Sequence, residues 1–447
     1  MNSMNVDSIR ANRTRAILAF SVPAIISMVL TSLINMADGF FMGNFIHKDA
    51  IAAVNLGLPI IYLFLATGLM VSVGGSVIAG MSIGRKDEES CRSVFSQTIA
   101  TCAVASVLLS VVMFFLLRTI LAVLGAEGDV AEYFLQYYTI LLFELPVMTV
   151  NASLGMFVRA EGRPQFYMAV TAFTCVLNIL LDWLFTAGFG FGVRGIAAAS
   201  LVSALLGFAF LLFYFAKKAR VFRFAKFRFR RIFRSTMLNG LSEFIGELSM
   251  CISIAAYNFV IMKRIGVDGV TAFTVVGYTT YVFSMVVCGF GQGMAPLASF
   301  VYGTKEKLLA RNLFTRTVLL VLAAGCATVA FVGFGSSLYS RIFVDDVAVQ
   351  QMIKSGILIF MWSYILCGLN AIASFYFTSI GKAKESAVIS SARGLVILLA
   401  AIFVLPAILG MNGVWLASSA TEILTLAITL FYLKKDRKEI DDAKQAE

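Results

Sequence analysis

The sequence predicts an all-α polytopic membrane protein, with twelve transmembrane helices in two parallel-repeat six-helix lobes around a central cleft. Three observations predict it. The 447-residue chain has a mean hydropathy of +0.88 and only 14% charged residues, too little polar surface for a soluble chain of that length. Its apolar residues fall into two sets of six membrane-length segments, on either side of Lys217–Arg234, which carries nine basic residues and no acid. A single shift of 219 residues then pairs one half with the other without a gap.

The first six spans are expected at about 16–42, 52–81, 94–123, 132–158, 166–188 and 195–216. The second six are expected at about 238–262, 271–300, 313–340, 350–379, 388–409 and 413–433. This gives an N-terminal lobe over 1–216, a basic linker over 217–234, a C-terminal lobe over 235–433 and a tail over 434–447. The turns at 84–89, 161–164, 303–307 and 381–385 are short and basic and leave no room for a soluble domain.

Charge sets the orientation. All Lys and Arg except Lys48, Arg118, Arg194, Lys263, Arg264, Arg341 and Lys354 fall in the N-terminus, the loops after even-numbered spans with the span ends beside them (Arg316 and Arg393), and the C-terminus. That is the positive-inside pattern of a multi-pass membrane protein with both termini cytoplasmic. The net charge of +11 therefore implies no nucleic-acid partner. Phe222, Phe224, Phe227, Phe229 and Phe233 in the linker are read as an interfacial segment on anionic lipid headgroups rather than as base-stacking residues. The seven cysteines show neither metal-ligand nor disulfide spacing and are read as packing thiols. The first apolar run is too long for a signal peptide and is kept as span 1.

The 219-residue shift pairs Ala37 with Ala256, Asp49 with Asp268, Gly74 with Gly293 and Gly84 with Gly303. It also pairs Lys86 with Lys305, Arg92 with Arg311, Asn151 with Asn370 and Gly162 with Gly381. Each half has an even number of spans, so the repeats run parallel about an axis along the membrane normal. That is a transporter plan, with the substrate at the interface between repeats.

Ionisable residues inside the membrane are costly and ask for a reason. By the spans above they are Asp38, Glu144, Asp182, Glu243, Glu247 and Glu422, and no Lys or Arg is placed deep enough to pair with them. Arg118 and Arg393 are expected to snorkel from span ends. Bare acids are neutralised by protons, by metal cations or by a cationic substrate, which points to cation coupling and cation transport together. Asp38 and Asp182 lie at similar depth near the outer ends of spans 1 and 5, Asn178 is one turn from Asp182, and span 6 starts outside, which puts Ser200 at similar depth. Converging, these groups would suit Na⁺ or an exchangeable proton. The repeat gives Tyr257 and Ala401 opposite Asp38 and Asp182, so the second lobe has no copy of this site. The competing reading of Asp38 is an outer-interface carboxylate facing water.

Glu243 and Glu247 are one turn apart, and Glu247 and Glu422 lie near the middles of their spans. They could line a substrate cleft and meet a cationic compound, or be protonated acids bonded to neighbouring helices. Glu144, with Pro146 two residues on, could mark a helix break. Pro23, in the first third of span 1, removes a backbone hydrogen bond and permits a kink that would move Asp38. His47 is expected to be solvated in an outer loop.

These residues resemble the multidrug and toxic compound extrusion (MATE) family. The resemblance rests on Ser21-Val-Pro23, on Asn35-Met-Ala-Asp38-Gly-Phe-Phe-Met-Gly43, and on Arg159-Ala-Glu-Gly162-Arg-Pro164. It continues through Asn178-Ile-Leu-Leu-Asp182 and Gly195-Ile-Ala-Ala-Ala-Ser200. It covers nearly the whole chain and leans to the bacterial drug-efflux branch of MepA-like pumps. It implies two six-helix bundles around a cleft, exporting cationic drugs against an inward flow of H⁺ or Na⁺. It also implies a first-lobe cation site at Asp38, Asn178 and Asp182, with Na⁺ as one possible occupant. Ser200 stands where many members have Thr, Pro23 matches the family's span-1 proline, and Trp183 replaces a proline that usually comes after the span-5 Asp. Glu247 looks like a span-7 acid of some branches.

The expected function is a secondary multidrug antiporter, not an enzyme, with H⁺ or Na⁺ as coupling ion and no other cofactor. Its expected partners are cationic drugs, the coupling cation and the bilayer, with no obligate protein partner. No GxxxxGK[ST] motif for ATP is present. The alternative is a lipid-linked oligosaccharide flippase of the same superfamily, whose anionic pyrophosphate lipid would call for bases in the cleft.

Overall fold

Long apolar segments satisfy every backbone group internally only as helices, and helices are what forms. The computed structural model describes residues 5–225, 231–343 and 346–445, and among them there is no strand. A short α1 (Val6–Ala11) leads into α2 (Arg13–Phe45), α3 (Lys48–Leu56), α4 (Leu58–Gly84), α5 (Glu88–Leu124) and α6 (Gly128–Ala160). Next come α7 (Pro164–Trp183) with a π turn at Leu184–Gly188, and α8 (Gly192–Phe213) with a π turn at Tyr214–Lys218. The second half holds α9 (Arg231–Arg264), α10 (Val267–Gly303), α11 (Lys307–Phe343), α12 (Val347–Phe360) and α13 (Trp362–Ser379). It ends with α14 (Ala383–Ser391), a π turn at Ala392–Val396, α15 (Ile397–Leu409) and α16 (Met411–Gln445).

Among the described residues, eleven helices are long and apolar enough to cross a membrane, and α12 with α13 makes a twelfth span bent by 44°. The chain is a multi-pass membrane protein. The single span expected at about 350–379 is thus broken at Met361. There the Ser363 hydroxyl donates to the Phe360 carbonyl at 2.7 Å, and the Tyr364 hydroxyl is held by Thr279 on α10 at 2.7 Å. Such local side-chain bonds compete with the helix ladder. The break considered at Glu144 does not form, since α6 runs on through Pro146.

The repeat is visible in the backbone. Lys86 and Lys305, 219 apart, are the non-glycine residues with positive φ among the described residues, at 59° and 69°. Gly162 and Gly381 close their helices at φ 84° and 76°, a conformation that costs a residue with a Cβ.

The described residues form two compact units. One holds Pro23–Glu247; the other holds Val6–Val22 and the chain from Leu248 onward. Each unit therefore carries the opening turns of the other repeat's first helix. In the first unit a Cβ at Gly240, at the start of α9, would run into the Met70 carbonyl of α4. In the second unit a Cβ at Gly293 on α10 would come within 2.5 Å of the Ser21 Cα of α2. Ser21 and Gly240 are themselves 219 apart, so one backbone contact recurs in both units.

The first unit has two apolar cores. One packs Phe41, Phe64, Tyr138 and Leu141 with Ile196. The other packs Phe95, Leu154 and Phe157 with Phe215 and Phe222. Phe222 corrects the expectation of a linker lying on lipid, because it is fully buried with its ring 5.0 Å from that of Phe157. The pull on it is polar. The Glu161 carboxylate accepts the backbone amides of Arg220, Val221 and Phe222 at 2.8, 2.7 and 3.2 Å, and the Tyr214 hydroxyl as well. Phe224 stays half exposed, and Phe227 and Phe229 lie outside the described residues.

Candidate functional site

The first unit gathers four of the residues singled out in the sequence. Asp38 comes from α2, Asn178 and Asp182 from successive turns of α7, and Ser200 from α8. All are buried, with Asp182 at 0% and Asn178 at 1% exposure. The Asp38 carboxyl meets the Asp182 carboxyl and the Ser200 hydroxyl, and Asn178 Nδ2 donates to Ser200 Oγ at 3.1 Å. Four oxygens are left over. Asp38 Oδ1, Asn178 Oδ1 and both carboxylate oxygens of Asp182 have no hydrogen-bond partner, and among the described residues no basic side chain is paired with them.

Local structure explains the arrangement. The four-residue spacing puts Asn178 and Asp182 on one helix face. After Trp183, the helix widens into the π turn Leu184–Gly188, and the Thr186 hydroxyl donates to the Asp182 carbonyl at 2.5 Å. Trp183 thus leads into a widened turn, at the position where the resemblance implies a proline.

Two neighbours carry no signal strong enough to join the site from the sequence alone. Glu144 and Tyr137 lie two turns apart on α6; the field of Glu144 reaches both Asp38 and Asp182, and Glu144 Oε2 is buried with no partner. Tyr137, 4% exposed, faces the same acids. Their seven-residue spacing, which places both on one face, is the available hint. Chemically, the pocket is a set of hard oxygens around facing carboxylates, suited to a proton or a small hard cation.

The remaining candidates are dispersed. Pro23 lies inside α2, at the first residue of the first unit, and the Ser27 hydroxyl donates to its carbonyl at 2.8 Å. Glu243 and Glu247 are half-buried on α9 in the first unit, and Glu243 feels the charge of Glu247. Glu422 lies on α16 in the second unit. There the expectation of acids without basic partners fails. Arg393 does not snorkel from a span end; its Nη2 donates to Glu422 Oε1 at 2.9 Å, and Asn370 Nδ2 donates to Oε2 at 2.7 Å. Arg393 lies within the π turn at Ala392–Val396, so it reaches Glu422 from a widened turn rather than from a regular helix. His47 caps α3, with Nδ1 accepting the Asp49 amide at 3.4 Å.

A family model for MatE matches residues 23–184 and 244–403, one match in each repeat and most of the chain together. The chain belongs to the MatE family. Among MatE relatives, it is 24% identical to the multidrug export protein MepA of Staphylococcus saprophyticus, over 97% of this chain and 96% of that one. It is 24% identical, over the same shares, to the protein of that name in Staphylococcus haemolyticus. Its fold is similar to the outward-facing conformation of a multidrug resistance MATE family transporter of the MOP superfamily. That match has a TM-score of 0.91, with 22% identity and full coverage of both chains.

Proposed function

We propose that this MatE protein is a secondary multidrug efflux antiporter of the MepA-like branch. It exports cationic, amphipathic compounds across a bacterial plasma membrane in exchange for H⁺ or Na⁺. The observation that carries the coupling site is the facing pair Asp38–Asp182, buried together with four oxygens that no donor satisfies. Facing carboxylates without a base call for a cation, and a proton or Na⁺ taken from outside supplies it. Asn178 Oδ1 and Ser200 Oγ complete the oxygen set, and the charge of Glu144 acts on Asp182 from α6.

Loading the pocket changes the charge on α2, and Pro23 is where that helix lacks a backbone bond and where the first unit begins. Ion and drug must each bind the two transport states differently for one to drive the other. Glu243 and Glu247 are the acids assigned to meet a cationic drug, and the positive-inside pattern puts both termini in the cytoplasm. The flippase alternative requires bases free to hold an anionic lipid, and the deep base Arg393 is already taken by Glu422.

Ethidium efflux from energised membrane vesicles, under a pH gradient or a Na⁺ gradient applied separately, tests this. One gradient should drive efflux. Asp38→Asn and Asp182→Asn should each cut the driven component about 5–150-fold, the usual range of a coupling energy, while ethidium still binds. If neither gradient moves ethidium and both variants match the wild type, the carboxylates are structural and the flippase reading takes over.

A further inference from the structure

Glu422 is 5% exposed, and every oxygen it has is occupied. Oε1 accepts Arg393 Nε at 3.2 Å and Nη2 at 2.9 Å, and Oε2 accepts Asn370 Nδ2 at 2.7 Å. Its main-chain oxygen accepts the same amide at 2.9 Å, and Asn370 Oδ1 accepts the Thr429 hydroxyl at 2.8 Å. Asn370 and Thr429 are fully buried. Arg393 Nη2 also reaches Cys367 Sγ at 2.9 Å, and the thiols of Cys367 and Cys288 are the other titratable groups facing the guanidinium.

The guanidinium is delivered by a built feature. Arg393 sits in the π turn Ala392–Val396, and such a turn frees a carbonyl from the helix ladder. Gly394 supplies an accepting carbonyl, taken by the Ser253 hydroxyl at 3.0 Å, and a Cβ at Gly394 would come within 2.7 Å of Ser249 Cβ. The turn, the glycine and the serine together fix where the guanidinium emerges.

The first repeat shows what the fold needs without this pair. The 219-residue shift puts Asn151, Thr174 and Ser203 at the positions of Asn370, Arg393 and Glu422. Asn151 still ties its helix to α8, with Nδ2 on the Ala204 carbonyl at 2.8 Å. The amide tie is therefore common to both repeats, and the charges are an addition of the second.

We propose that Arg393 is a tethered cation filling an acidic site of the second unit, so that Glu422 takes no part in cation exchange. The first unit's pocket alone then sets the coupling stoichiometry; this rests on the antiporter reading above. Arg393 is a positioning residue, because it occupies the Glu422 carboxylate without touching substrate. Without it, a buried carboxylate beside a Cys367 thiol and an Asn370 amide would itself take a proton or a small cation, as the bare acids of the first unit do.

The test counts protons taken up by purified full-length protein in detergent, without drug, when the pH is dropped from 8 to 5. Wild type is compared with Arg393→Lys, Arg393→Met and the double variant Arg393→Met/Glu422→Gln. Arg393→Met should take up about one proton per chain more than wild type, while Arg393→Lys and the double variant keep the wild-type count. The double variant removes both charges at once, a change that buried ion pairs commonly tolerate, so the comparison survives if Arg393→Met fails to fold. A double variant that takes up about one proton fewer than wild type means that Glu422 exchanges natively, and the proposal is wrong. So does an Arg393→Met count equal to that of wild type. Since no gradient or drug enters this count, its result is independent of whether the vesicles support antiport.

Discussion

Asp182 and Glu422 are both buried carboxylates on apolar helices of one duplicated chain, yet their surroundings are opposite. Asp182 faces another acid, and neither of its oxygens has a partner. Glu422 faces an arginine and an asparagine, and both of its oxygens are filled. A charge left bare in hydrocarbon must be met from outside the protein, whereas a charge met from inside is static. The difference teaches that duplication supplied two scaffolds and that only one of these two acids was given a counter-charge from within the protein.

A second contrast lies where the chain leaves each unit, at the linker and at the tail, where polarity reverses between the units. In the first, an acid on the turn after α6, Glu161, captures the backbone amides of the departing linker. In the second, bases on the body, Arg311 and Lys382, capture an acid on the departing helix, Asp436, at 2.9 and 2.8 Å, with the Tyr376 hydroxyl at 3.0 Å. Lys217 and Asp436 are equivalent under the repeat shift. Each unit thus anchors its exit with one charged hub, built from different partners.

The largest expected effect separates the two buried acids. Glu422→Ala leaves Arg393 unpaired and should cost about 3–5 kcal/mol in a detergent unfolding experiment. Asp182→Asn leaves no basic group unpaired and removes a facing acid, so it should leave stability unchanged or raised. The reverse order would dissolve the comparison. Asp436→Asn should cost about 1.5–3 kcal/mol, the range for hydrogen bonds to charged groups, and limited proteolysis should then cut the end of α16 sooner.

The smallest effects lie in the equivalent turn acids Asp87 and Glu306. Asp87 caps α5 by accepting the Ser90 amide at 3.0 Å, so Asp87→Ala should cost about 1 kcal/mol. Glu306 only pairs with exposed Arg10 at 2.5 Å, so Glu306→Ala should cost no more than about 1 kcal/mol. Bonding to the Ser90 side chain and amide holds Asp87 below the usual carboxylate range. A lowered folded value means that the cap's contribution is complete above the unfolded value of about 3.9 and is lost as pH falls through the folded one. Wild type and Asp87→Ala should therefore converge in thermal stability below about pH 4 and differ above it.

Much of this is legible along the chain. Hydropathy places the spans, one offset exposes the repeat, and the paired glycines at 162 and 381 and lysines at 86 and 305 adopt matching backbones. Asn178 and Asp182 are readable as one face because four residues make about one turn. Legibility ends where helices meet. By its place in the span Arg393 reads as a snorkelling residue, but its partner Glu422 comes from α16, a contact between helices that one segment does not encode. Phe222 reads as lipid-facing because its neighbours are basic, and three amides on Glu161 draw it into the core instead.

The sequence by itself determined the class, the number and order of spans, the duplication and the identity of the acids within the spans, though not the burial of Asp436 beyond them. These come from composition and periodicity, which are properties of one helix at a time. Only the tertiary structure decided which acids are bare. A carboxylate's counter-charge comes from another helix, at a rotation and depth that no single segment encodes: Asp38 reaches Asp182 across α2 and α7, and Arg393 reaches Glu422 from the π turn before α15.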